Sequence, residues 1–94
     1  MITTTKHGKE KLLDDLMGVI TEFGQCYEPS AKCAFVRMRQ LGLEVVSKPS
    51  PDTIGEWALG MTLDNPETPC GCTVEPDGKC AHGVPSWCRI VGII

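Results

Sequence analysis

Three cysteines and a histidine stand together in PCGCTVEPDGKCAHG, residues 69–83. Cys70 and Cys72 have one residue between them, too close for a relaxed disulfide, whereas a Cys-x-Cys pair can aim both sulfurs at a single ion. Seven residues then intervene before Cys80-Ala-His82. Within them, Pro76-Asp77-Gly78 is a turn tripeptide that supplies a fixed φ, an Asx-type hydrogen bond and a permissive glycine, and it should fold the segment back on itself. Two short arms joined by that turn bring Cys70, Cys72, Cys80 and His82 to the corners of a tetrahedron. Three cysteines and one histidine are a common structural zinc set, so one structural zinc ion per chain is expected, in a zinc finger-like hairpin or knuckle. The competing view is a set of unmetallated cysteines in a small core. Against it, the stretch is rich in Pro, Gly and acids, and a loop exposing three unligated thiols would be prone to oxidation.

A second ligand set replaces His82 with Cys88. Cys88 follows Pro85-Ser86-Trp87, which reads as a helix opening with Pro at its first position, so Cys88 could equally be a buried apolar residue. Cys26 and Cys33 flank the Glu28-Pro29 helix opening at a spacing that matches no common metal knuckle and are expected as buried thiols. His7 lies in a polar N-terminal stretch and reads as solvated. No catalytic constellation accompanies the cluster. Zinc deaminases pair His-x-Glu with Pro-Cys-x-x-Cys, and neither half fits. A P-loop, a nucleophile elbow, a dinucleotide fingerprint and His-Glu-x-x-His are all missing from the sequence. Four protein ligands also leave no open position for water, so the chain is not expected to be an enzyme or to take a small-molecule substrate.

The elements that must position these residues are mostly helical. From Lys9 to Phe23, Leu12, Leu13, Leu16, Met17, Val19, Ile20 and Phe23 fall on one arc of a helix, opposite Asp14, Asp15, Gly18, Thr21 and Glu22. A second helix starts near Pro29 or Ser30 and places Ala31, Ala34, Phe35, Met38 and Leu41 on its buried stripe. A short third is opened by SPDTIGEWALG, where Ser50 or Asp52 can cap, and PSWCRIVG forms a fourth. Leu41-Gly42-Leu43, Leu59-Gly60-Met61 and Val91-Gly92-Ile93 each follow a helical run with a glycine between apolar residues, the pattern of a left-handed C-cap. LEVVSKP reads as a brief strand that MTL (61–63), GII (92–94) or the metal hairpin could pair with. SKPSP (47–51) is the most plausible hinge. The expected class is mainly α with minor β: about four short helices and a zinc-stabilised hairpin in the C-terminal half.

With 94 residues, 41% of them hydrophobic, the chain suits one domain over 1–94, with a helical part at 1–46 and a zinc-clipped part at 52–94. Two Phe, two Trp and one Tyr leave the core to Leu, Ile, Val and Met, so a metal would supply stability this core lacks. No apolar run is long enough to span a bilayer, and MITTTKHGKEK lacks the apolar core of a secretory signal, so a cytoplasmic protein without a membrane partner is expected. In that reducing compartment, closely spaced thiols read as ligands rather than disulfides.

Charge separates the candidate functions. Residues 1–50 hold seven Lys or Arg against six Asp or Glu, and residues 51–94 hold two against six, so nets of +1 and −4 make up the total of −3. Zinc modules that grip nucleic acid present Lys and Arg to phosphates, and the metal-bearing half is acidic. The basic concentration is on the second helix, at Lys32, Arg37 and Arg39, as a solvated face or as the contact of a DNA- or RNA-binding regulator. A protein partner is the favoured expectation, with Trp57 and Trp87 as candidate anchors.

The ending DGKCAHGVPSWCRIVGII resembles one found in small proteins of phages and other mobile elements, where Cys-x-His-Gly is followed by Pro-Ser-Trp, a short helix and Gly-apolar-Ile. The resemblance covers about the last twenty residues. It implies a small zinc-clipped phage or prophage protein, and by that pattern the position of Cys88 is usually aliphatic, which makes Cys88 core and His82 the ligand. The function so implied is an accessory protein that binds and inhibits or modulates a host factor, such as a defence or nucleic-acid-processing complex.

Overall fold

The computed structural model describes the backbone of residues 4–94 and the side chains of residues 10–94; the expectation for the His7 side chain lies outside them. Four helices follow in chain order: α1 (Thr4–Phe23), α2 (Glu28–Leu41), α3 (Pro51–Leu59) and α4 (Trp87–Ile90). The fold is mainly helical. Among the described residues β pairing is limited to two isolated antiparallel bridges, Glu67 with Thr73 and Lys79 with Pro85. α1 packs on α2 and α3, and α4 packs on the same two helices.

The apolar arc of α1 is only partly buried. Leu12, Leu16, Val19 and Ile20 enter the core, whereas Leu13 and Met17 are each 46% exposed. A helix with neighbours along one side needs a narrow stripe, and these two residues overshoot it. They line an open groove of about 610 Å³ with Ile20 of α1 and Lys32 and Phe35 of α2. On α2, Ser30, Ala34 and Met38 are buried and Ala31 and Phe35 partly so, but Leu41, expected inside, is exposed in the last turn beyond the reach of its neighbours.

All three glycine endings form as the sequence predicts. Gly42, Gly60 and Gly92 have φ of 67°, 68° and 77°. The following residue reaches back in each case, Leu43 N–H to the Met38 carbonyl (2.9 Å), Met61 to Glu56 (3.0 Å) and Ile93 to Cys88 (3.1 Å). Each glycine N–H is bonded to the carbonyl three residues earlier, so these are Schellman motifs, and a side chain at the glycine would meet the left-handed backbone penalty. At the opposite ends, Ser50 caps α3 by accepting the Thr53 N–H (3.3 Å), which leaves Asp52 in the first turn. Ser86 caps α4 by accepting the Arg89 N–H (3.3 Å). Pro85 therefore precedes the cap instead of opening the helix, because it is engaged in the bridge with Lys79.

The segment 47–51 is tied to the rest of the fold at its first two residues. Ser47 is buried, its hydroxyl donates to Glu67 Oε1 (2.7 Å) and its carbonyl accepts the Trp87 indole N–H (3.1 Å). Lys48 pairs with Asp15 of α1 at 2.9 Å, and Asp15 is also paired with Lys11; the two ammonium groups, Lys11 foremost, hold its carboxyl below the ordinary value. The stretch before it runs beside the cysteine loop, with Val46 N–H on the Pro69 carbonyl (2.9 Å), and forms neither a strand nor a pair with MTL or GII. Leu63 in MTL is fully exposed.

The core centres on α4. Trp87, Met38, Ile54, Ile90, Val84, Val91 and Cys88 are fully buried, and Cys80, Val84 and the partly buried Cys70, Cys72 and Val74 roof this cluster. Both tryptophans belong to it, Trp87 completely and Trp57 at 7% exposure, so neither presents its indole to a partner. The small aromatic complement explains this, since a core otherwise built of aliphatics needs its two largest side chains inside.

Candidate metal centre

Two tight turns present the four ligands. In the first, Gly71 N–H bonds the Thr68 carbonyl (2.8 Å) and Thr68 N–H bonds the Cys72 carbonyl (2.8 Å), which curls the chain so that Cys70 and Cys72 face the same way. Gly71 makes this possible at φ 92°, and a Cβ there would stand 2.6 Å from the Val46 side chain. In the second, Cys80 N–H bonds the Val84 carbonyl (3.0 Å) and Gly83 N–H the Cys80 carbonyl (2.9 Å). Between them the expected turn closes with Gly78 N–H on the Glu75 carbonyl (2.8 Å). Pro76 sits at its second position and Gly78 at its fourth, the type I preference, so Gly78 is used without the positive φ that the sequence invites.

The result is a compact cluster. Cys70 Sγ lies 3.7 Å from Cys72 Sγ and 3.6 Å from Cys80 Sγ. His82 Nδ1 lies 3.6, 3.5 and 3.4 Å from the sulfurs of Cys70, Cys72 and Cys80. All four ligand atoms fall within 4.8 Å of one another. A tetrahedron with edges of this length has its centre about 2.2 Å from each corner, within the range of metal–thiolate and metal–imidazole bonds, about 2.0–2.3 Å. The four residues could therefore hold a metal ion, with His82 ligating through Nδ1.

The electrostatics fit a cation at that centre. Burial raises the Cys80 thiol, but hydrogen bonds from the Val84 and His82 backbone and from the His82 ring outweigh it and bring it down to about 6. Burial first, and then the neighbouring Cys70 and Cys80, push the Cys72 thiol up to about 11. The cluster thus favours the thiolate at Cys80 and the protonated thiol at Cys72, and a cation bound at the centre would displace the remaining thiol protons.

Cys88 stands apart from this cluster. It is fully buried, its thiol pushed up to about 11 by burial and directed at the Ile54 carbonyl (3.7 Å), which assigns it to the core and removes it from the ligand set. Cys26 and Cys33, expected to be buried, are both exposed. Cys26 falls in the open connection between α1 and α2, and Cys33 on the flank of α2, with Sγ 3.8 Å from the Gly83 carbonyl.

The basic residues of α2 are mostly engaged within the chain. Arg37 Nε donates to the His82 carbonyl (3.3 Å), and its guanidinium lies so close over Gly83 that a Cβ there would meet Nε at 2.9 Å. Arg39 lies 5.7 Å over the Phe35 ring. Lys32 borders the groove between α1 and α2. Thr68, which sequence reasoning passes over, is fully buried with its hydroxyl 3.0 Å from Cys70 Sγ and 3.1 Å from the Cys72 amide nitrogen. The only clue in the sequence is its place two residues ahead of a ligand. No helix among the described residues is long and apolar enough to cross a membrane. No protein-family model, curated protein or solved structure matches the chain.

Proposed function

We propose that the chain is a small zinc-held binding protein, in which the metal is structural and the partner is another protein. The observation that carries this reading is the cluster of Cys70, Cys72, Cys80 and His82, which closes a tetrahedron around one centre. Three thiolates and an imidazole at those distances favour zinc over harder cations, and four protein ligands leave no place for an activated water or a substrate. The ion serves to hold the loop on the core.

A domain without reactive chemistry acts by contact. Five acidic residues of the second half, Asp52, Glu56, Asp64, Glu75 and Asp77, are exposed and suit a partner with a basic face. Glu67 is set apart from them by its bond to Ser47. The ending's resemblance to phage and mobile-element proteins supports a cytoplasmic accessory protein that modulates a host complex, such as a defence or nucleic-acid-processing system. A basic groove that normally takes nucleic acid is the natural surface for such an acidic face.

Elemental analysis of the purified protein should find one zinc per chain. Cys88→Ser should keep it and His82→Ala should lose it; the reverse pattern, or a folded protein free of metal, would overturn the ligand assignment.

Replacing the five exposed acids with Asn or Gln should weaken capture of the protein partner, chiefly through a slower association rate. Submicromolar binding to DNA or RNA in about 150 mM salt, abolished by neutralising Lys32, Arg37 and Arg39, would instead select the nucleic-acid regulator. The net charge of −3 opposes that outcome.

A further inference from the structure

We infer that Thr68 is a positioning residue for the metal, holding Cys70 by a hydroxyl-to-sulfur hydrogen bond and drawing electron density from it. The inference rests on the zinc reading of the cluster and adds to it a residue outside the ligand set.

Proton counting fixes the direction of the bond once a metal is held. The Thr68 hydroxyl has one proton and two lone pairs. The Cys72 N–H points at Oγ1 from 3.1 Å and can only donate, so it occupies a lone pair. The hydroxyl proton is then left for the atom on the other side, Cys70 Sγ at 3.0 Å. A metal-bound thiolate has no proton to give and must accept. Thr68 is completely buried, so water does not compete for that proton. Its backbone is held by the two main-chain bonds that join Thr68 to Gly71 and Cys72, and its hydroxyl ties Cys72 in place. One side chain thus orients two of the four ligands.

A donor on a metal-bound thiolate has two consequences. It orients the sulfur before the metal arrives, which raises affinity; loss of such outer-shell partners typically costs about 10–100-fold. It also withdraws charge from the sulfur, which lowers that thiolate's nucleophilicity and raises the energy of its charge-transfer band to a reporter metal.

The test uses the full chain with Zn2+ alone and Co2+ alone as probes. Thr68→Val keeps the shape and deletes the hydroxyl; Thr68→Ser keeps the hydroxyl. Valine is expected to weaken Zn2+ binding about 10–100-fold in competition with a chromophoric chelator. It is also expected to move the thiolate-to-Co2+ charge-transfer band to longer wavelength and speed alkylation of the zinc-bound sulfur, while serine restores all three. A purely structural role would alter affinity without moving the band. An unchanged affinity and spectrum in Thr68→Val would overturn the inference and leave the metal site standing, whereas a wild-type protein that binds neither ion would overturn the zinc reading itself. Should the valine variant not fold, the wild-type protein loaded with 113Cd decides the matter. A scalar coupling from the metal to a slowly exchanging Thr68 hydroxyl proton supports the bond, and a freely exchanging, uncoupled hydroxyl overturns it.

Discussion

Removing the metal should melt the C-terminal half of the protein. Structural zinc contributes about 10–16 kcal/mol of binding free energy in zinc-finger peptides, and a folded domain has about 5–15 kcal/mol of stability in total. Cys80 belongs to the core that contains Trp87, and Cys70 and Cys72 pack against that core, so the ligands and the core share residues. A chelator should therefore abolish the cooperative thermal transition and lower the helical circular dichroism signal. Acid should do the same. Protons compete with the metal for its thiolate and imidazole ligands, so the stability that the ion supplies is present at neutral pH and is lost as the pH falls. Unchanged dichroism and thermal midpoint after verified metal removal would show the ion to be dispensable.

The second large effect belongs to Trp87. Trp87→Ala should cost about 3–5 kcal/mol through the cavity it leaves in a fully buried site. Loss of the indole N–H also strands the Ser47 carbonyl, pushing the cost toward the upper end. For a domain of this size the midpoint should fall by roughly 15–30 °C. Trp87→Phe, which retains much of the volume but loses the donor and part of the ring, should cost less. An exposed interface anchor would behave differently, since surface substitutions usually change stability by no more than about 0.5 kcal/mol. A Trp87→Ala protein with an unshifted midpoint would refute its place at the centre of the core.

Local chemistry was legible in the sequence and burial was less so. The four ligands, the turn between them and the three glycine endings each follow from a few adjacent residues whose backbone requirements are specific. Leu13, Met17 and Leu41 were misplaced because periodicity reports which residues share a face and not how much of that face a neighbour covers. Cys26 and Cys33 are expected inside because their spacing fits no metal knuckle, which does not report burial, and residue type alone does not separate an interface anchor from a core tryptophan. Segment 47–51 looked like a hinge from its Pro and Ser content. Its first residue is bonded to Glu67 and Trp87, partners too distant along the chain for composition to reveal. Thr68 is hidden in the same way, since its importance lies in where its one proton points.

The ligands' closeness along the chain bears on the order in which the structure assembles. All four lie between residues 70 and 82, so closing the cluster costs little loop entropy, and loops of about ten residues close in roughly 10–100 ns. The contacts that complete the core are of another kind: Trp87 to Ser47 and Arg37 to His82 join residues forty and forty-five positions apart. A metal-loaded knuckle would form first and offer a preformed surface on which those slow, long-range contacts condense. An ion bound there would act as a folding nucleus, and the supply of metal during synthesis would set how soon a newly made chain escapes its exposed, aggregation-prone state.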